Sequence, residues 1–550
     1  MRLPRRNIGP WAKELIDECT SSREARIDLN RLWTSYYYCG TSDGEAAFYN
    51  RTFCHIDRLA SFLFSPTEVR FMLEGDPASD PADLDLLASG ARYLNAEFNR
   101  TNSDLVFSSA VNWGLIKGCA LVKQLWGHDG LEPWLVQPEQ FGVLREDIAD
   151  LDRQEAFVET TYLTKSAFAR TLIDHPEKKS ILAAVEQTMV AQKDGAPGTD
   201  DYLMQIVVGG TAPVSTTAST GKAMVNFSSA PKPMLAPETL RRLVRLDELW
   251  VQDSERNDYT TIRMVQDIVI EGADRHRNLG GVSQEHPYTK VCPNDVDGYF
   301  WGLSEIASVY KLQDLLNSQI DKLQRVTALK SDPPRALIGF TGMNQEKYNA
   351  LRRPGGFISE DAPNAKIETL SPDVPQELLI ERINATIQYF DDVSGFTPVM
   401  LGMGDQGVRS QAQAQTLARN SSPRMRDRAL LVERQSVEFG EYSMKLMQAK
   451  EAEIMTTEEK QEFILAQLPT NYRTTIDSHT SSPAFQEDTR NLAIGLRKLG
   501  VIDDESTIMM VHPPHEDTLV LKARAKAKAQ AQLVAQHPEL LTKPGGGKKK

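Results

Sequence analysis

Cysteine, membrane-length apolar runs and catalytic motifs are all scarce in this 550-residue chain. The five cysteines, Cys19, Cys39, Cys54, Cys119 and Cys292, are scattered, and none forms a C-x-x-C pair. That excludes a cysteine zinc site and a disulfide framework, and predicts reduced, mostly buried thiols. No apolar run approaches the roughly 20 residues that span a bilayer, so no membrane partner is expected. The first residues, MRLPRRNIGPW, carry basic charge with no apolar stretch behind it, so no signal peptide is expected.

Catalytic signatures are missing too. There is no G-x-S-x-G and no H-E-x-x-H. STTASTGKA (215–223) resembles a phosphate loop, yet Thr216 and Ala223 stand where backbone approach and magnesium ligation require Gly and Ser or Thr. HPPH (512–515) holds two histidines, but its prolines prevent helical presentation to a metal. DPASDPADLD (76–85) lacks the Gly and closing Glu of a calcium loop. The chain is therefore expected to be no enzyme and to need no cofactor and no metal. Positive charge is also in deficit, with a net charge of −13. A protein that grips nucleic acid over a broad surface is excluded, because such affinity comes from Lys and Arg neutralising phosphates. A protein that handles DNA without holding it is not.

What is present is length and helical periodicity. The composition, 41% hydrophobic and 25% charged, is that of an ordinary folded protein, and the chain is long enough for several domains. Helices are predicted over 11–38, 45–64, 84–98, 104–117, 166–173 and 179–191. CALVKQLW (119–126) and PWLVQP (133–138) read as strands joined by GHDG. LVRLDELWVQ (243–252) and YTTIRMVQDIVI (259–270) alternate as paired strands, and YLMQIVV (202–208) and NYRTTIDSH (471–479) as further ones. A Gly/Ser/Thr/Pro-rich stretch over 209–239 predicts a projecting segment.

From Ser304 the character changes. Residues 304–330 form one long helix, with Ser304 as cap and Leu312, Leu315, Leu316, Ile320, Leu323 and Val326 in an apolar stripe. SDPP ends it, some forty residues with short strand-like pieces (RALIGF, AKIETL) follow, and a second helix returns over 376–395. Gly402 to Gly407 then spell G-x-G-x-x-G. A dinucleotide turn needs a buried strand before it and an amphipathic helix after it. Here the preceding run contains Thr397 and Pro398, and the following one begins VRSQAQAQT. A flexible glycine loop between long helices fits better; an enzyme binding a nucleotide cofactor through Gly402–Gly407 is the alternative. The next helix contains Pro423, which must kink or restart it, with Ser422 as cap and Pro423 as first helical residue in the second case. Arg419, Arg424, Arg426 and Arg428 bracket that point as a solvated, subunit-bridging or phosphate-contacting face.

The order of these parts carries a resemblance. A mixed α/β region, a long helix entered through GYFWGLSEIASVYKLQDLLNSQIDKLQ, a short β-containing excursion, a returning helix ending DDVSG, a glycine loop and a proline-interrupted helix resemble the portal proteins of tailed double-stranded DNA bacteriophages. The resemblance is strongest over 287–448 and in VNWGLIKGCALVKQLW (111–126). It implies a mainly helical α+β, ring-forming portal fold with an N-terminal wing region (1–300), a first stem helix (301–330), a clip (331–375) and a second stem helix (376–395). A tunnel loop (396–410), a kinked wing helix (411–450), and a crown with C-terminal tail (451–550) would complete it.

The implied function is a dodecameric head-tail connector at one capsid vertex, the conduit for DNA packaging and ejection. Implied partners are copies of itself, passing double-stranded DNA, the large terminase subunit, tail adaptors, and capsid and scaffolding proteins. The implied location is the virion, and the host cytoplasm during assembly. Gly402, Gly404, Gly407 and Arg409 of the loop, with Lys322, Arg325 and Lys330 late in the first stem helix, would face DNA in the channel. Arg335, Arg352, Arg353, Glu360 and Asp361 would make the clip contacts, and Pro423 the helix kink.

Overall fold

A computed structural model describes residues 3–4, 7–21, 23–42, 47–64, 69–75, 81–127, 130–172, 175–191, 243–255, 257–265, 268–271, 281–331, 335–338, 366–369, 376–395, 423–449, 468–469, 472–476 and 493–499, with isolated positions between 502 and 526. The chain opens with α1 (Ile8–Ser21) and α2 (Arg23–Cys39), which cover the helical stretch predicted over 11–38. α3 (Arg51–Leu63) starts six residues later than predicted from position 45, because the Asn50 side chain accepts a hydrogen bond from the Phe53 N–H and caps it there. β1 (Phe71–Gly75), α4 (Pro81–Thr101) and α5 (Ser103–Lys117) follow.

Two antiparallel sheets come next. β2 (Ala120–Gly127) and β3 (Gly130–Val136) form the predicted hairpin, with Gly127 opposite Gly130, and β9 (Tyr288–Val291) pairs on the other edge of β2. The second sheet is built from β4 (Phe141–Val143), β5 (Ala156–Thr164), β6 (Leu243–Asp253), β7 (Asp258–Val265) and β8 (Ile268–Glu271), in that order. The single strand predicted over 259–270 is two strands, because Val265 pairs with Ile268 in a fold-back. The intervening Gln266–Asp267 contains no glycine or asparagine to announce that turn in the sequence. The short helix α6 (Lys165–Thr171) and α7 (Lys178–Ala191) match prediction.

Alternation of side chains across the second sheet explains its place. Ala156, Val158, Leu249 and Val251 point to one face, where Ala12, Leu15, Ile16 and Cys19 of α1 cover them. Phe157 and Trp250 point to the other, into an aromatic layer with Phe141, Tyr259, Tyr288 and Phe300 shared with the first sheet. Phe168, Leu172, Ile181 and Val185 of α6 and α7 cover the ends of β6 and β7.

Three long helices remain. α8 (Ile306–Ser331) and α9 (Gln376–Ser394) lie within two residues of their predicted limits. Between them β10 (Arg335–Ile338) pairs antiparallel with β11 (Lys366–Thr369), so both ends of the excursion leave and return side by side. Residues 396–422 lie outside the described residues, and with them the choice between a kink and a restart at Pro423; α10 (Pro423–Ala449) is described from there onward. Its apolar face, Val432, Phe439, Met444 and Met447, enters the largest core with α2 to α5 and β1 to β3. Phe439 meets Phe98 and Phe107 there, at ring distances of 5.2 and 5.4 Å.

The last strand, β12 (Tyr472–Ile476), pairs antiparallel with β1, roughly four hundred positions earlier. A segment expected in a crown (451–550) is thus part of the N-terminal body.

Candidate functional site

The feature to which every long-range argument leads is the hairpin of α8 and α9. Its root is built from buried polar side chains. Ser304 accepts a hydrogen bond from the Ile306 N–H and donates to the Ile116 carbonyl, while the Glu305 N–H donates to Leu115. The end of α5 and the start of α8 are thereby tied together. Gly118 and Gly302 make that approach possible: both have positive φ, and a Cβ at Gly118 would lie 2.8 Å from the Trp301 carbonyl.

Glu305, 2% exposed, is the hub. Its carboxylate accepts from Arg428 of α10 at 2.8 Å and Asn294 at 3.1 Å, and meets His55 of α3 at 3.4 Å. Burial alone would raise its pKa; the His55 hydrogen bond and the Arg428 charge outweigh that and hold it below the usual carboxylate range. Two turns further along α8, Gln313 is fully buried. Its amide oxygen accepts from the backbone N–H groups of Arg51 and Thr52, and its NH2 donates to the Tyr49 carbonyl. A side chain of α8 thus satisfies the first turn of α3. Asp314 accepts from the Tyr36 hydroxyl at 2.8 Å, Asn317 donates to the Gly40 carbonyl, and Arg51 pairs with Asp391 of α9.

Beyond Leu316 the hairpin leaves the body. The seam continues, with Gln319 against Thr386 and Thr327 against Gln376, which shows the two helices running antiparallel. No residue of α8 past Leu316 is fully buried, and large apolar side chains face outward there: Leu329 is 43% exposed, Leu378 45% and Ile380 48%. At the junction Tyr389 is 57% exposed and Leu315, expected in the apolar stripe, 46%, because Leu315 lies off the face that packs on the body and α9.

The predicted site residues divide accordingly. Lys322, Arg325 and Lys330 are exposed on the distal half of α8. Arg335 is the first residue of β10, opposite Thr369. Gly402, Gly404, Gly407 and Arg409, and the clip residues Arg352, Arg353, Glu360 and Asp361, lie outside the described residues. Arg428, grouped by sequence with three neighbouring arginines as a solvated, subunit-bridging or phosphate-contacting face, is instead 8% exposed and bound to Glu305. Its partner lies 123 positions away in sequence, where local reading cannot see it.

Two other polar places are accounted for by structure. Lys123 is 3% exposed and bridges Glu159 and Glu248 at 2.6 Å each, with the Tyr288 hydroxyl on Glu159 and Arg263 on Glu248. Desolvation opposes every charge in this group; the opposite charges prevail, raising the Lys123 pKa and lowering that of Glu248. The groups satisfy one another between the two sheets, leaving a substrate no access. A surface cleft of about 500 Å³ lies between α10 and β12, lined by Glu441, Lys445, Gln448 and Tyr472. Among the described residues no cluster of His, Cys, Asp and Glu could hold a metal ion, and no helix is long and apolar enough to cross a membrane.

No protein-family model matches the chain, and no curated protein matches it. Similar solved structures do exist. A chain of the virion of a native gene transfer agent particle aligns with 84% of this chain and 89% of its own length, at 11% identity and a TM-score of 0.37. A chain from the neck of an empty gene transfer agent particle, computed with sixfold symmetry, aligns with 84% and 90%, at 11% identity and a TM-score of 0.39. Superpositions this loose carry no argument, and the functional reading rests on the chain's own residues.

Proposed function

We propose that the chain is a portal protein: a ring of about twelve copies, by cyclic assembly of one repeated contact, that forms a conduit for double-stranded DNA at a capsid vertex. The observation that carries this reading is the α8–α9 hairpin. Its root is closed by buried hydrogen bonds to α2, α3 and α10, yet its distal half presents apolar side chains on outward faces. A lone pair of helices has no means of covering such faces, and neighbouring copies supply it.

The sequence order adds support. The β10–β11 pair closes the far end of the hairpin, where the excursion over 331–375 would meet a packaging motor and later a tail adaptor. The glycine loop follows α9 in the sequence and precedes α10. In the ring it would project into the channel, with Gly402, Gly404 and Gly407 supplying mobility and no cofactor site. The acidic balance suits a conduit, since each phosphate neutralised would add binding and friction. The role needs no catalysis.

Negative-stain imaging of the purified full chain tests the proposal. Rings with a central hole are expected. A compact monomer or dimer at micromolar concentration would contradict it.

A further inference from the structure

We infer that neighbouring hairpins dock edge to edge through opposite charge, the outward stripe of α8 on one copy against the outward stripe of α9 on the next. The inference rests on the ring reading and specifies its contact. At 3.6 residues per turn, Lys311, Leu315, Ser318, Lys322, Arg325 and Leu329 line one exposed flank of α8, next to the face opposite the seam with α9, where Asp314 and Asp321 stand. That stripe carries three positive charges and no negative one. The positions on α9 opposite the seam are Glu377, Glu381, Asn384, Gln388 and Asp392, all exposed, with three negative charges and no positive one. Lys322, Arg325, Glu377, Glu381 and Asp392 have no ion-pair partner among the described residues.

The hairpin is therefore a plate with a basic stripe along one flank of α8 and an acidic one along α9. Such a plate is complementary to a second copy of itself only head to tail, and a head-to-tail contact that closes gives a ring. Flanking charges temper the pattern without reversing it. Asp314, beside the basic stripe, is engaged by the Tyr36 hydroxyl, and Asp321 stands near it; Arg382 lies beside the acidic stripe among Leu378 and Tyr389. Exposed Leu315 and Leu329 on one edge, and Leu378 and Tyr389 beside the other, give the contact apolar area as well as charge. Lys322 and Arg325 then meet a neighbour's carboxylates, and are not the residues that centre DNA.

Charge reversal in the full chain decides between these roles. K322E/R325E and E377K/E381K are each expected to fold as wild type by circular dichroism, yet to lose rings by at least about tenfold, from like charges facing across every contact. Mixing the two variants is expected to restore rings, because each contact in an alternating ring is again complementary. Pairing within one hairpin would not be rescued by mixing. Rings formed normally by either variant alone would overturn the inference while leaving the ring reading intact. If such K322E/R325E rings also bound less DNA, the basic stripe would belong to the channel. A wild-type chain without rings would overturn both.

Discussion

The two halves of the α8–α9 hairpin are made of the same kind of helix and live in different surroundings. In the root half, Glu305, Gln313 and Asp314 hydrogen-bond to partners from α2, α3 and α10 and to Asn294 and the Tyr49 carbonyl. In the distal half, leucines and unpaired charges stand on the outside. A residue in the root half answers to its own chain; a residue in the distal half is expected to answer to the next copy. The difference teaches that burial within one chain identifies what holds the fold, while exposure of patterned side chains identifies what the fold is for. Mutations that separate folding from assembly can break or sharpen this contrast.

The largest effects on stability are expected inside the body. Removing Lys123 as K123M leaves Glu159 and Glu248 facing each other without their shared cation. Breaking a buried pair in this way costs about 3–5 kcal/mol. Chemical denaturation of K123M should show its midpoint fall accordingly, and an unchanged midpoint would mean that the network between the sheets is not formed.

E305Q comes next, with the same measurement followed against pH. Glu305 and Glu248 both have pKa values held below the ordinary 4.5. A depressed folded pKa contributes stability that is present above the unfolded value and lost as pH falls through the folded one. Wild-type stability should therefore hold from neutral pH down to about 4.5 and fall below it. E305Q should begin lower, because Arg428 loses its counter-charge, and should fall less steeply in acid. Parallel curves for the two proteins would rule out the Glu305 hub.

Q313A is a smaller test of the root. It leaves the N–H groups of Arg51 and Thr52 and the Tyr49 carbonyl without their partner, at about 1–3 kcal/mol by the usual penalty for buried unsatisfied groups. The smallest stability effect belongs to the distal half. L329S should change the unfolding free energy of the unassembled chain by within about 0.5 kcal/mol, as surface substitutions do. The same change should reduce ring formation. A large loss of monomer stability in L329S would erase the contrast between the halves.

How much of this could be read from the sequence follows the same division. α8 and α9 were legible nearly to the residue, because an apolar stripe at helical spacing is a local signal, and Ser304 caps as its position implied. The β2–β3 hairpin was legible from GHDG. β1 was not, since its partner β12 lies at the other end of the chain and five residues carry too little alternation. The role of Arg428 was misread for the same reason: charge runs report composition, while a buried ion pair is a meeting of distant segments. Lys322 and Arg325, expected from the sequence to face DNA in a channel, are exposed, and only the three-dimensional seam shows that they share a flank of α8 with Leu315 and Leu329.

Amide hydrogen exchange along α8 tests the central contrast most directly. It compares assembled wild-type rings with the unassembled K322E/R325E chain. The account predicts that residues 306–316 are protected in both, and that residues 318–331 gain strong protection only in the ring. Equal protection of the distal half in both states would show that it needs no neighbour, and would contradict the account.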